Sequence, residues 1–170
     1  GVDSTPGVGS TFWFTARLKK SSHAAPAEVV QIGSAEALLL ENYRGRRVLL
    51  VEDEFINQEI SRSLLEDVAL AVDLAENGEE ALRLAGENSY DLILMDIEMP
   101  KMNGIEATEI IKNKFPKIKI IMLTVFDNDE NVFDAIKAGA DGYLLKETKA
   151  EKIYEAIRET LAGGAVMSPS

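Results

Sequence analysis

The 170-residue chain contains no cysteine, which excludes disulfides, thiolate metal centres and thiol nucleophiles. A reducing compartment suits such a chain, and the cytoplasm is the expected location. No apolar run is long enough to cross a bilayer and no secretory leader is evident, so membrane contact by this segment is not expected. Histidine occurs once, at His23, in a stretch of small polar residues, where a solvated linker side chain is the simplest reading. Basic charge is also scarce. The net charge is −11, and residues 46–170 hold 25 acids against 14 bases while residues 1–45 hold four of each. That surface repels nucleic-acid phosphates and argues against direct binding of DNA or RNA, although ordinary solubility accounts for the charge equally well.

What remains is organised in blocks. Residues 1–20 read as a hairpin, with a turn at Thr5-Pro6-Gly7-Val8-Gly9 and alternation through Phe12-Trp13-Phe14. A lone hairpin is marginal in water, so it belongs to a larger sheet in its proper context. Residues 21–45 read as a linker, with a short helix at Ala35–Glu41 as one reading. From Arg46 short apolar strands alternate with helical spacing: strands at 46–51, 70–75, 91–96, 118–123 and 142–146, helices at 55–66, 78–87, 104–114, 130–138 and 149–162. Asn77-Gly78, Met99-Pro100, Phe115-Pro116 and Gly139 punctuate the blocks. Five strand–helix repeats require right-handed crossovers, hence an α/β fold with a parallel sheet covered by helices on both faces. The expected organisation is a domain over 46–165 and a tail over 166–170, with residues 1–44 dispensable for its stability.

The strand ends carry the chemistry. Val48-Leu49-Leu50-Val51 ends in Glu52-Asp53, Leu92-Ile93-Leu94-Met95 in Asp96, Ile120-Ile121-Met122-Leu123 in Thr124, and Gly142-Tyr143-Leu144-Leu145 in Lys146. Ligands of such sheets sit beyond the carboxyl ends of the strands. Carboxylates roughly 4 Å apart repel by about 4 kcal/mol per pair at an effective dielectric near 20, so a pocket of two or three calls for a cation. Oxygen ligands alone favour Mg²⁺, for which Mn²⁺ could substitute. A helix cap explains Asp53 alone and a turn explains Asp96 alone, but neither explains the four strand ends together. With a metal in place, phosphoryl transfer follows: Asp96 as nucleophile, metal held by Asp53, Asp96 and the main-chain carbonyl of Glu98 with Glu52 assisting through water, and phosphoryl oxygens held by Thr124 and Lys146.

The segments Val48–Glu54, Asp91–Gly104 and Ala138–Lys146 resemble, in order, the motifs of receiver domains of two-component signalling. The resemblance implies a flavodoxin-like, doubly wound sheet of five strands in the order 2-1-3-4-5. It assigns the same roles to Glu52, Asp53, Asp96, Thr124 and Lys146, and makes Tyr143 the aromatic switch partner of Thr124, a buried core tyrosine being the simpler alternative. Two positions depart from the family's pattern: Glu147 stands where proline is common, and Val125 is larger than the usual small residue, which would narrow access to the site. Both look like receivers of helix-turn-helix response regulators, as does the ending Ile157–Pro169, whereas residues 46–104 look more like receivers of hybrid histidine kinases.

Ser4-Thr5-Pro6-Gly7-Val8-Gly9-Ser10-Thr11-Phe12-Trp13-Phe14 carries a second resemblance, to the last glycine box and closing strands of a histidine kinase ATP-binding domain. The remaining nucleotide motifs of that domain are missing, so ATP binding is not expected, and with His23 read as a linker residue the phosphoryl donor is not expected within these 170 residues. The expected function is a phosphoacceptor in a phosphorelay, most simply at the end of a hybrid sensor kinase that could itself be membrane-anchored. The expected partner is a phosphohistidine donor, either a kinase dimerisation domain or a histidine-phosphotransfer domain. Catalysis is limited to the domain's own phosphorylation and dephosphorylation, which switch the surface of helix 130–138, strand 142–146 and helix 149–162. The alternative is the receiver of a helix-turn-helix transcription regulator. A metabolite hydrolase lacks a cap-sized insertion, and flavin binding meets repulsion from the acidic pocket.

Overall fold

The computed structural model describes residues 2–5, 9–12, 34–125 and 129–167. Two units result. In the first, strands β1 (Val2–Thr5) and β2 (Gly9–Phe12) pair antiparallel, Val2 opposite Phe12 and Thr5 opposite Gly9. This is the expected hairpin. The turn glycine Gly7, the aromatic continuation from Trp13, the residues around His23 and the last three residues of the chain lie outside the described residues.

The second unit alternates helices and strands: α1 (Ala35–Asn42), β3 (Arg47–Val51), α2 (Phe55–Asp67), β4 (Ala71–Ala75), α3 (Gly78–Glu87), β5 (Leu92–Asp96), α4 (Gly104–Lys114), β6 (Lys119–Thr124), α5 (Asp129–Ala138), β7 (Gly142–Leu145), α6 (Ala150–Leu161) and β8 (Val166–Met167). The sheet runs β4-β3-β5-β6-β7-β8, every pair parallel. Its first five members, counted from β3, have the order 2-1-3-4-5 of a flavodoxin-like fold. The strands and helices read from the sequence fall within a residue or two of these bounds.

Continuous apolar strands explain the layering. β5 is buried at every position, as is β3 after Arg47 and β6 after Lys119, because helices cover both faces. Period-2 alternation then sorts the side chains. Leu49, Val51, Ile93, Met95, Ile120 and Met122 pack with Ala81, Ala107, Ile111 and Ala135 of α3, α4 and α5. Their neighbours Val48, Leu50, Leu92, Leu94, Ile121 and Leu123 pack with Leu65, Ala156 and Ile157 of α2 and α6. Asn77 and Asn103 cap α3 and α4, accepting from the amides of Glu80 at 3.1 Å and Glu106 at 2.9 Å. Gly139 ends α5 with φ of +93°, the left-handed conformation glycine tolerates.

Two expectations need correction. Residues 34–45 are part of the second unit rather than linker: α1 packs against α6, and Leu39, with no exposed surface, sits in the same cluster as Tyr154 and Ile157. Three consecutive leucines, Leu38 to Leu40, lack the helical spacing that would have marked one as core. Residues 1–44 are therefore not dispensable as a block. The stretch read as a tail also contributes, since Val166 and Met167 pair with Gly142 and Tyr143 as a sixth strand, after the chain reverses at Gly163 with φ of +94°. A two-residue strand is too short to show alternation.

At the amino edge of the sheet, Asp141 joins three elements. It accepts from Lys112 of α4 at 2.7 Å, Lys119 of β6 at 2.8 Å and the Ile120 amide at 3.0 Å. Burial alone would raise its carboxyl, but these donors outweigh burial and hold it below the ordinary value of 3.8.

Leu39→Ala is expected to cost about 2–5 kcal/mol, measured by urea unfolding, because it empties a closed site between α1 and α6. Asp141→Asn is expected to lose about 2 kcal/mol near neutral pH, in the range for hydrogen bonds to charged groups. A carboxyl depressed in the fold stabilises above its unfolded value and loses that contribution as pH falls through the folded value. The variant and parent curves should therefore converge below pH 3.8, and parallel curves down to pH 2 would contradict this account.

Candidate active site

The carboxyl edge gathers four strand ends. Val51 is the last β3 residue paired with β4, opposite Ala75, and Glu52 and Asp53 follow it. Asp96 ends β5 opposite Leu123, and Thr124 is the next residue of β6. β7 stops at Leu145, one residue earlier than the sequence pattern indicated, so Lys146 stands in the following turn with its amide donating to the Thr124 carbonyl at 2.7 Å.

The loop after β5 fixes Asp96. The Gly104 amide donates to the Ile97 carbonyl at 3.0 Å, and a Cβ at Gly104 would lie 1.9 Å from the Asp96 carbonyl oxygen. Only glycine permits that approach.

The Lys146 ammonium bridges two carboxylates, 2.7 Å from Glu52 Oε2 and 2.8 Å from Asp96 Oδ2. Glu52 is almost wholly buried, Asp96 and Thr124 nearly so, while Asp53 is exposed. The other Glu52 oxygen accepts from Asn57 Nδ2 at 3.2 Å and the Glu54 amide at 3.4 Å. One oxygen each of Glu52, Asp53 and Asp96 lie within 4.8 Å of one another. Asp53 and Glu98 also line one open depression together with Asn103 and Asn131.

One ammonium facing two buried carboxylates leaves negative charge uncompensated. Burial raises the Asp96 carboxyl, Lys146 opposes that rise, Glu52 adds to it, and the Glu98 amide lowers it through a hydrogen bond; the net shift is upward. Burial lowers Lys146, but its bonds to Asp96 and Glu52 more than offset this and raise it, so the ammonium stays charged. A clustered, oxygen-only donor set with excess negative charge fits a hard divalent cation.

Tyr143 pairs in register with Met122, which puts it diagonal to Thr124 on one face of the sheet. Tyr143 is 2% exposed and packs in the core, as the simpler of the two readings of this residue expects. Val125 and Glu147, the two departures noted in the sequence, are both at the surface.

Sequence reasoning missed Asn57 and Gln58. Both lie in the first turns of α2, whose N-terminus lacks a side-chain cap, and both reach back to Glu52. It also missed three exposed apolar residues on α2, Phe55, Ile56 and Ile60, which are 70%, 65% and 62% exposed. A groove lined by Ile60, Ser61 and Ile153 leads from them to Glu52 and Lys146.

A family model described as the response regulator receiver domain matches residues 48–158. The chain belongs to this family. Among curated relatives, the response regulator protein VraR of Staphylococcus aureus is 43% identical over 126 residues, which are 72% of this chain and 60% of that protein. The transcriptional regulatory protein LnrK of Bacillus subtilis is 37% identical over 125 residues, 72% of this chain and 57% of that one. The chain thus spans about half the length of the curated relatives it matches.

Solved receivers share the fold. A two-component response regulator of the LuxR family from Aurantimonas superposes with a TM-score of 0.70 at 35% identity, covering 74% of this chain and 91% of that one. The response regulator TrrA of Thermotoga maritima, solved in complex with Mg²⁺ and BeF, superposes with a TM-score of 0.63 at 34% identity, covering 68% and 98%.

Proposed function

We propose that this receiver accepts a phosphoryl group from a phosphohistidine onto Asp96 in a reaction that depends on Mg²⁺, with Mn²⁺ able to replace it. The observation that carries the reading is the Lys146 bridge to Glu52 and Asp96 beside an exposed Asp53. That TrrA, a relative of the same fold, was solved with Mg²⁺ and BeF supports the assignment.

In this reading Asp53, Asp96 and the Glu98 carbonyl hold the cation, which when bound offsets charge on a phosphoryl oxygen. A carboxylate oxygen of Asp96 attacks phosphorus, the new P–O bond forms as the P–N bond to the donor histidine breaks, and the imidazole leaves. Lys146 transfers part of its hydrogen bonding from Asp96 to a phosphoryl oxygen while Glu52 keeps it in place. The Thr124 hydroxyl takes another oxygen. Glu52 has both oxygens engaged within the protein and serves as the anchor of Lys146 more than as a metal ligand. The added charge of about −1.5 to −2 rearranges the Thr124 and Lys146 loops and, through Tyr143, the surface of α5, β7 and α6.

The donor must bring its phosphohistidine to Asp96, and the exposed Phe55, Ile56 and Ile60 beside the acidic edge offer it an apolar landing face.

The parent protein has two readings. Relatives named as transcriptional regulatory proteins, longer than this chain, favour a receiver that controls an output domain, the helix-turn-helix case. The resemblance of residues 4–14 to the end of a histidine kinase ATP-binding domain favours a hybrid kinase, in which 1–20 are a kinase remnant, 21–33 a linker and the rest the receiver. Both place the acceptor at Asp96 in the cytoplasm.

A small acyl phosphate with Mg²⁺ is expected to label the protein once by mass spectrometry, and Asp96→Asn to remove the label. Lys146→Ala should keep the fold and Mg²⁺ binding yet lose most of the labelling; a fully labelled Asp96→Asn, or an unimpaired Lys146→Ala, contradicts the assignment. Ile60→Glu should slow transfer from a phosphohistidine domain by about tenfold or more while leaving acyl phosphate labelling intact, and equal slowing with both donors would remove the docking role.

A further inference from the structure

Asp53 has an unusual basis for its position. Its carboxylate makes no hydrogen bond or ion pair with any described residue, yet it stands within 4.8 Å of Glu52 and Asp96. No side-chain partner aims it. Its direction is inherited from the backbone at Glu52 and Asp53, so whatever holds that backbone also holds the carboxylate.

β-sheet pairing does not hold it. The Glu52 amide makes the last bond to β4, donating to the Ala75 carbonyl at 3.0 Å, and the ladder of β3 closes at Val51. The Glu52 carbonyl lies beyond the last rung and needs a donor from elsewhere, since an unpaired buried carbonyl is costly. Gln58 supplies it. Its side-chain Nε2 reaches back six residues to the Glu52 carbonyl oxygen at 2.6 Å, and the residue is only 7% exposed. Asn57 adds a second tether, from Nδ2 to Glu52 Oε1 at 3.2 Å and to Glu54 Oε2 at 2.8 Å. α2 thus spends its first polar side chains on the acidic turn and leaves its own N-terminus without a side-chain cap.

We propose that Gln58 is a positioning residue of the phosphoryl-transfer site: by fixing the peptide between Glu52 and Asp53 it aims the Asp53 carboxylate at Asp96. The proposal rests on the function given above. A neutral amide suits the task because it donates to the carbonyl without adding charge to a cluster that already has an excess. Methionine has similar length and shape but cannot donate, so Gln58→Met removes the bond with little change in packing.

The test is calorimetric titration of the full 170-residue chain with MgCl₂, for the parent, Asp53→Ala and Gln58→Met, beside thermal midpoints measured in EDTA. Asp53→Ala should abolish binding; if it binds Mg²⁺ like the parent, the functional reading itself fails. Given that loss, Gln58→Met is expected to stay folded, with a thermal midpoint lowered by the carbonyl it leaves unpaired, and to bind Mg²⁺ about tenfold more weakly, the usual size of losing a group that orients a ligand. Its labelling rate with a small acyl phosphate should return to the parent's at saturating Mg²⁺. Parent-like affinity in Gln58→Met, with Asp53→Ala inactive, overturns the positioning role and leaves the function standing. Should Gln58→Met prove unstable, Gln58→Asn decides by the same titration, since its amide is one methylene too short to reach the carbonyl.

Discussion

Everything at the carboxyl edge depends on one ammonium group shared by two buried carboxylates. Lys146 lies within 2.8 Å of both Glu52 and Asp96 and offsets part of the cost of burying them as carboxylates. Yet one positive charge against two negative ones is an incomplete neutralisation, and exposed Asp53 adds a third acid at the rim. The edge is therefore stable enough to form and too negative to be at rest. That imbalance is what makes the site receptive to a divalent cation, and its Glu52 part adds to the rise that burial, the larger cause, imposes on the Asp96 carboxyl.

The contrast with the amino edge is informative. There Asp141 meets two lysines and a backbone amide, a surplus of donors, and its carboxyl is depressed. Similar ingredients with opposite stoichiometry give a structural clasp at one end of the sheet and a reactive pocket at the other. Between them runs the central strand β5, apolar up to Asp96 and buried at every position, whose register with β6 brings Asp96 beside Thr124.

The fold was legible because long-range order is written in local pattern. Continuous apolar runs such as Leu92–Met95 mark strands buried on both faces, Asn77 announces the start of α3, and the candidate site residues stand at or just past the ends of β3, β5, β6 and β7. That Asp96, Thr124 and Lys146 come together was legible from the strand ends because a parallel sheet delivers all such ends to one edge. What stayed hidden depends on tertiary contact. Leu39 is core only because α6 happens to face it, and Val166–Met167 form a strand only because β7 offers a free edge. Gln58 and Asn57 look like ordinary polar helix residues until the chain turns back on Glu52. The double engagement of Lys146 was likewise invisible, since sequence tells where a side chain starts and not how many partners share it.

The same bridge suggests how a local event travels. The Lys146 amide is bonded to the Thr124 carbonyl, so the β6 end and the turn after β7 are one mechanical unit, and Tyr143 lies diagonal to Thr124 in the same layer. A group that draws on the Lys146 ammonium and the Thr124 hydroxyl together pulls that unit from both sides. The Tyr143 side chain is buried in this layer. In the proposed reading, phosphorylation would then act by changing how tightly this packed conformation is held, a shift of population. Coupling of that kind needs no large motion at the site, only a differential interaction between two arrangements of a unit that already exists.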